Sequence, residues 1–133
     1  MNSSDIDRKI AVIFATDLVG YSKHMEKDED ATLASLNDCN KIIEPLIKKL
    51  KGRIFNTGGD SVFAEFPSAV AAVNTAVEFQ KQIKARNDKD TTDVKLEYRI
   101  GVNMGDVVKE GDNLLGDGVN TVSYTHLTLP TKA

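Results

Sequence analysis

An α+β domain with a ferredoxin-like βαββαβ core is what this sequence predicts, and three observations carry that prediction. A short apolar, partly β-branched run stands at residues 10–16 (IAVIFAT). Two long stretches, about 30–51 and 68–88, place apolar residues at helical spacing. Between and after them lie a hairpin signal at 53–66 and the cleanest two-residue alternation in the chain, at 94–104. The resulting order, β-α-β-β-α-β-β, is that of a split βαβ unit, with helices covering one face of a mainly antiparallel sheet.

The elements follow in order. The run at 10–16 reads as a buried strand ended by Asp17. A polar loop, LVGYSKHMEKDED, comes next, with Gly20 for tight backbone approach. Leu33, Leu36, Ile43, Leu46, Ile47 and Leu50 then mark a helix from about 30 to 51. Asp28, Glu29 and Asp30 open it, Lys48, Lys49 and Lys51 close it, and Gly52 stops it. Pro45 inside the pattern predicts a kink or a break. Residues 53–57 and 61–66 are strands joined by Gly58-Gly59-Asp60. Ser68 is a good N-cap for a second helix ending near Asn87-Asp88. After a polar loop at 89–93, the alternation at 94–104 is a strand that Gly105-Asp106 turns into a further short strand, 107–109. Gly111, Gly116 and Gly118 mark a final loop ending at Asn120.

The chain has 133 residues, 41% hydrophobic and 28% charged, which suits one domain with a single core and excludes wholesale disorder. No apolar stretch is long enough for a membrane span, and the polar leader at 1–8 lacks the apolar centre of a secretory signal. The single cysteine, Cys39, excludes a disulfide framework and places the chain in a reducing cytoplasm. A net charge of −3 argues against a dedicated nucleic-acid partner. Residues 121–133 (TVSYTHLTLPTKA) carry one charge, Lys132, and so leave residues 1–120 with 16 basic and 20 acidic side chains. Residues 122–131 read as the translation of a transposase adapter used in sequencing libraries. The segment is therefore expected to be a non-native tail, and the domain to be incomplete at its C-terminal end.

Asp17 ends the first strand and Asp60 sits in the hairpin turn. If the first strand packs between the later ones, both carboxylates meet at one end of the sheet. Two hard carboxylates plus substrate phosphates suit magnesium, which keeps several waters and needs few protein ligands. A pair of metals there could activate an attacking oxygen and stabilise a leaving one. The amides of Leu18, Val19, Gly20, Tyr21 and Ser22 could hold phosphate oxygens in a concave nest. The bland alternative is that turn and strand-end aspartates are caps or solvated loop residues. His24 reads as a solvated loop histidine, Cys39 as a small core residue, and the lysines at 48–51 as a solvated helix end.

Three segments, ATDLVGYSKHMEKDEDATL, GRIFNTGGDSVFAEFPSAVAAV and YRIGVNMGDVVKEGDNLLGDGVN, occur in the order and spacing of class III adenylate/guanylate cyclase catalytic domains. The resemblance covers about residues 9–120 and looks like bacterial members with the cyclase domain at the N-terminus. It implies a head-to-tail homodimer with active sites at the interface, acting on ATP or GTP with two Mg²⁺ or Mn²⁺ ions per site. Asp17 and Asp60 match the metal-binding aspartates, and Leu18 would add a backbone carbonyl. Leu18 to Ser22 match the triphosphate loop, and Asn120 matches the asparagine that orients the ribose from the partner subunit. The base-reading positions are Asn56 and Asn113, where adenylate cyclases carry Lys and Asp or Thr. A neutral amide both donates and accepts, so either purine could be read; the surrounding motifs favour ATP.

The family's catalytic arginine follows the ribose asparagine by one helical turn. Val122, Ser123 and Tyr124 stand there instead, so the chain by itself is expected to be inactive or nearly so. Gly58-Gly59-Asp60 also resembles the turn of diguanylate cyclases, but Ser61 and Val62 replace that family's acidic-Phe pair. A pseudo-cyclase that binds nucleotide or only dimerises is the other alternative.

Overall fold

In the computed structural model, residues 7–58, 60–89, 94–111 and 113–116 are described. Gly59, Asn120 and the whole 121–133 segment lie outside them. The elements are β1 (Asp7–Leu18), α1 (Tyr21–Lys27), α2 (Glu29–Lys49), β2 (Arg53–Gly58), β3 (Ser61–Phe66), α3 (Ala69–Lys89), β4 (Tyr98–Glu110) and β5 (Asn113–Leu115). The strands form one antiparallel sheet in the order β2-β3-β1-β4-β5. The expected α+β, ferredoxin-like arrangement is present, with β1 between β3 and β4.

β1 is buried on both faces, which is why residues 11–16 read as a continuous apolar run rather than an alternation. Val12, Phe14 and Leu18 face the helices, with Leu36, Cys39, Ile43 and Ile47 from α2 and Ala76, Phe79 and Ile83 from α3. Phe14 packs on Phe66 with ring centroids 5.5 Å apart, and Phe79 meets Tyr98 edge-on at 4.9 Å. Ala11, Ile13 and Ala15 form a second cluster on the opposite face with Val107 and Leu114, against which Phe55 and Phe63 pack. Phe55 is the extra residue of a β-bulge in β2, between the pairs Ile54–Ala64 and Asn56–Phe63. The edge strands β2 and β5 approach one another on this side.

Four expectations are corrected. The loop after β1 contains helix α1, which has no buried residue and so no apolar periodicity to betray it. It is held to α2 by the Thr32 hydroxyl donating to the His24 carbonyl at 2.9 Å, so His24 lies on a helix rather than in a loop. α2 is not broken at Pro45: the helix runs continuously past it, with Pro45 exposed and Ile43 and Ile47 on either side locked in the core. β4 does not turn at Gly105-Asp106. These residues pair with Ala11 and Ile10 in a ladder that follows β1 along its whole length, and residues 94–97 precede the strand. The turn comes instead at Gly111, where φ is 61°, and leads into β5.

The fourth correction concerns the end of α2. The amides of Lys51 and Gly52 donate to the Lys48 and Ile47 carbonyls at 3.0 and 2.8 Å, a Schellman closure. The left-handed residue is Lys51, with φ 66°. Gly52 is required for a different reason: a Cβ there would lie 2.7 Å from both Ile47 and the Phe66 ring. Asp28 caps the other end, accepting from the Ala31 amide at 3.0 Å, and Ser68 caps α3 by accepting from Ala71 at 3.1 Å. Among the described residues, no helix is long and apolar enough to cross a membrane.

Lys51→Gly should raise the unfolding free energy by about 1 kcal/mol by removing the left-handed penalty. Gly52→Ala should lower it by about 1–3 kcal/mol through overpacking; urea denaturation of both variants checks the pair. A second prediction concerns acid stability. Burial raises the pKa of Glu65, but Lys9 at 2.5 Å and Arg53 at 3.3 Å outweigh it and hold the carboxyl below its ordinary value. A carboxyl so lowered stabilises the fold above the unfolded pKa of about 4.3, and the contribution disappears as pH falls through the folded value. Glu65→Gln should therefore lower Tm at pH 7 and leave a smaller drop in Tm between pH 7 and pH 3 than the parent shows.

Candidate active site

Alternation along β1 settles where its last polar residues point. Thr16 shares the helix-facing side with Val12 and Phe14, whereas Asp17 follows Ala11, Ile13 and Ala15 onto the other face. Asp17 is not the residue that ends the strand; it sits inside β1, directly opposite Arg99 of β4. The two side chains form an ion pair through Arg99 Nη2 and Asp17 Oδ2. Both are partly open to solvent, at 41% and 35% exposure, so the pair is accessible to a ligand. The Arg99 Nε atom is buried without a hydrogen-bond partner.

Asp60 lies in the β2–β3 connection and is half-buried. The β1–β3 ladder ends at the pair Thr16–Val62. Asp17 and Asp60 stand one and two residues beyond that pair, at the same end of the sheet, as the central position of β1 requires. At this last pair the Val62 amide donates to the buried Thr16 hydroxyl at 3.0 Å. Beneath the site, burial pushes the Tyr98 hydroxyl well above the ordinary phenol range, with Cys39 adding to it and the negative charge of Asp60 contributing further. Burial also pushes the Cys39 thiol up, and the side chain is fully enclosed, as expected for a small core residue.

The loop after β1 divides into residues committed to the fold and residues that are not. Leu18 is buried and pairs with Tyr98. The Val19 amide donates to the Glu97 carbonyl at 2.9 Å, so this one of the five nest amides is already engaged. Gly20 adopts the left-handed conformation, φ 66° and ψ 30°, and no side chain caps the helix that follows. A Cβ at Gly20 would meet nothing within 4 Å, so the glycine answers the backbone angle and not crowding. Tyr21 packs against the main core, and Ser22 is exposed. The first amides of α1 have no acceptor within the helix.

Asn56 is exposed on β2. Asn113 opens β5, and its Oδ1 accepts from the Leu114 amide at 2.9 Å. These two candidates are carried on strands that approach one another. Asn120, the candidate ribose contact, falls outside the described residues.

The donor set fits a divalent cation of the magnesium type. It offers two carboxylates at one sheet end beside an open backbone turn. Among the described residues no group of three or more His, Cys, Asp or Glu gathers into a closed metal cage. A cation that keeps its waters and takes oxygens from a bound phosphate needs no such cage.

Two residues escaped the sequence reading. Arg99 looked like one more polar position in an alternating strand, and Thr16 like part of an apolar run. Neither carries a local signal; both are identified by their cross-strand partners.

Comparison with known proteins agrees with this fold. The family described as "Adenylate and Guanylate cyclase catalytic domain" matches residues 3–125. "Putative adenylate cyclase 3" of Rhizobium meliloti (strain 1021) is 41% identical over 124 residues, covering 92% of this chain. The chain spans only 21% of that relative's length. The solved adenylate/guanylate cyclase/hydrolase from Silicibacter pomeroyi superposes with a TM-score of 0.81 at 34% identity, over 90% of this chain and 70% of that one. The guanylyl cyclase Cya2 superposes with a TM-score of 0.77 at 25% identity, over 90% of this chain and 72% of that one. The match to the family model over nearly the whole chain, joined to a sheet that carries Asp17 and Asp60 to the same end, establishes that this chain belongs to the adenylate and guanylate cyclase catalytic domain family.

Proposed function

We propose that the chain is part of the catalytic domain of an adenylate cyclase that converts ATP to 3′,5′-cyclic AMP and pyrophosphate at the interface of a head-to-tail homodimer. The observation that carries the proposal is the convergence of Asp17, Arg99 and Asp60 at one sheet end beside the Gly20 turn. In the reaction the ribose 3′-oxygen bonds to the α-phosphorus, the bond to the β-phosphate oxygen breaks, and the 3′-proton passes to solvent. Two bound Mg²⁺ or Mn²⁺ ions would neutralise triphosphate charge and favour the alkoxide.

The protein's own part is positioning and charge. Asp17 and Asp60 hold the cations, with Leu18 adding a backbone carbonyl. The amides of Gly20, Tyr21 and Ser22 meet phosphate oxygens; Leu18 and Val19 serve this loop by anchoring it. Arg99 supplies a guanidinium beside Asp17, able to take two phosphate oxygens at once. Asn56 and Asn113 read the base, and Asn120 of the partner subunit orients the ribose. With no arginine in the stretch after Asn120, the 133-residue chain is inactive by itself. The assay therefore belongs to the full-length protein, after the source locus has been sequenced past the Asn120 codon.

In that protein, Asp17→Asn and Asp60→Asn should each cut cyclic AMP formation by at least ~100-fold while leaving the dimer mass unchanged. Light scattering and product chromatography read both quantities. A parent protein that dimerises yet makes no cyclic nucleotide with Mg²⁺ or Mn²⁺ would establish a pseudo-cyclase module instead. The base preference has its own test. Asn56→Glu should shift kcat/KM from ATP towards GTP by roughly tenfold or more, because a carboxylate accepts from the guanine N1–H and rejects the adenine edge. An unchanged ratio would remove Asn56 from base recognition.

A further inference from the structure

We infer that Thr16 is a positioning residue for the cation site: its hydroxyl fixes the β2–β3 hairpin, and with it Asp60, against Asp17. The inference rests on the proposed metal role of the two aspartates. Thr16 is 2% exposed, and its hydroxyl accepts a hydrogen bond from the Val62 amide at 3.0 Å. The contact bridges residues 46 apart in sequence and occurs at the final pair of the β1–β3 ladder.

Position gives this bond its leverage. Thr16 is covalently next to Asp17, and Val62 is two residues from Asp60. The pairing of β1 with β3 stops here, so no further β1–β3 ladder pair lies between this hydroxyl and the two carboxylates. A strand can slide or splay at the end of its ladder, and a fraction of an ångström between two carboxylates changes what they can share. By strand alternation Thr16 lies on the helix-facing side with Val12 and Phe14 and Asp17 on the other, so the hydroxyl acts on the site through the backbone rather than by touching a ligand. Leu, Ile or Val would satisfy the burial at this position; only a hydroxyl gives the Val62 amide a side-chain acceptor as well.

The test measures Mn²⁺ binding by electron paramagnetic resonance in the full chain, with the unreactive analogue α,β-methylene-ATP present. Thr16→Val keeps shape and burial and deletes the acceptor. It should weaken Mn²⁺ binding by roughly 10–100-fold, the range seen when groups that orient metal ligands are removed. Thr16→Ser restores the oxygen and should bind within about twofold of the parent. Circular dichroism confirms that each variant is folded at the assay temperature. If Thr16→Val lowers Tm but binds Mn²⁺ as the parent does, the hydroxyl is merely structural and the inference is overturned. If Thr16→Val does not fold, Thr16→Cys takes its place, since a thiol is a poor acceptor of similar size; parent-like affinity there overturns the inference too. Asp17→Asn and Asp60→Asn run alongside. Should both bind Mn²⁺ like the parent, the cation site itself is refuted, a result distinct from failure at Thr16.

Discussion

The pairing of β1 with β4 is the constraint on which the rest of this structure depends. The two strands run antiparallel over the full length of β1, from Asp7 opposite Lys109 to Leu18 opposite Tyr98. Because β1 also pairs with β3, it is an interior strand with helices on one side and the Ala11–Ile13–Ala15 cluster on the other. A strand so placed has no solvated face along its middle, and polar side chains can appear only where it emerges. Asp17 sits at that emergence. The same register sets Arg99 across from it, so one ladder delivers a carboxylate and a guanidinium to one spot.

The segment entering β4 is braced with unusual completeness. The Leu96 carbonyl accepts from Asn87 Nδ2 and the Tyr98 carbonyl from the buried Gln80 Nε2, both at 2.9 Å. The Glu97 carbonyl between them accepts the Val19 amide. Residues 94–97 have no ladder of their own, so α3 side chains and the loop after β1 satisfy backbone groups that would otherwise be buried unpaired. Helix α3 thereby reaches the Gly20 turn through two short steps. Arg86 ties the same helix to α2, donating to the Ser35 hydroxyl at 2.9 Å and lying 3.6 Å from Asp38. The candidate site thus stands on a frame of directed polar contacts as well as on the apolar core.

Charge is divided along the sheet in a way that suits the proposed chemistry. At the far end, Glu65 is enclosed between Lys9 and Arg53 and its charge is spent within the fold. At the near end, Asp17 pairs with Arg99 and stays partly exposed, and Asp60 is half-buried at the same end of the sheet. An ion pair that remains open to solvent contributes little to stability and costs little to rearrange. A cation and a phosphate arriving together could take the carboxylate and the guanidinium without dismantling the fold.

The sequence by itself determined the order β1, α2, β2, β3, α3 and β4, the pairing of a hairpin at 53–66 and the placing of Asp17 and Asp60 at one end of the sheet. Hydrophobic period and turn residues are local signals, and a central first strand follows from the split βαβ order. It also marked Gly20, because a turn after a buried strand needs a permissive backbone. Helix α1 was not legible, since it has no fully buried residue and leaves no period. Nor was the role of Gly52, whose missing Cβ answers the Phe66 ring and not the end of the helix. Only the tertiary structure decided that β4 runs on through Gly105, that Arg99 holds Asp17 and that Thr16 holds Val62. Asp17 and Arg99 are 82 residues apart, and which residues face each other across a sheet depends on register, a property of two strands together that neither strand's own sequence contains.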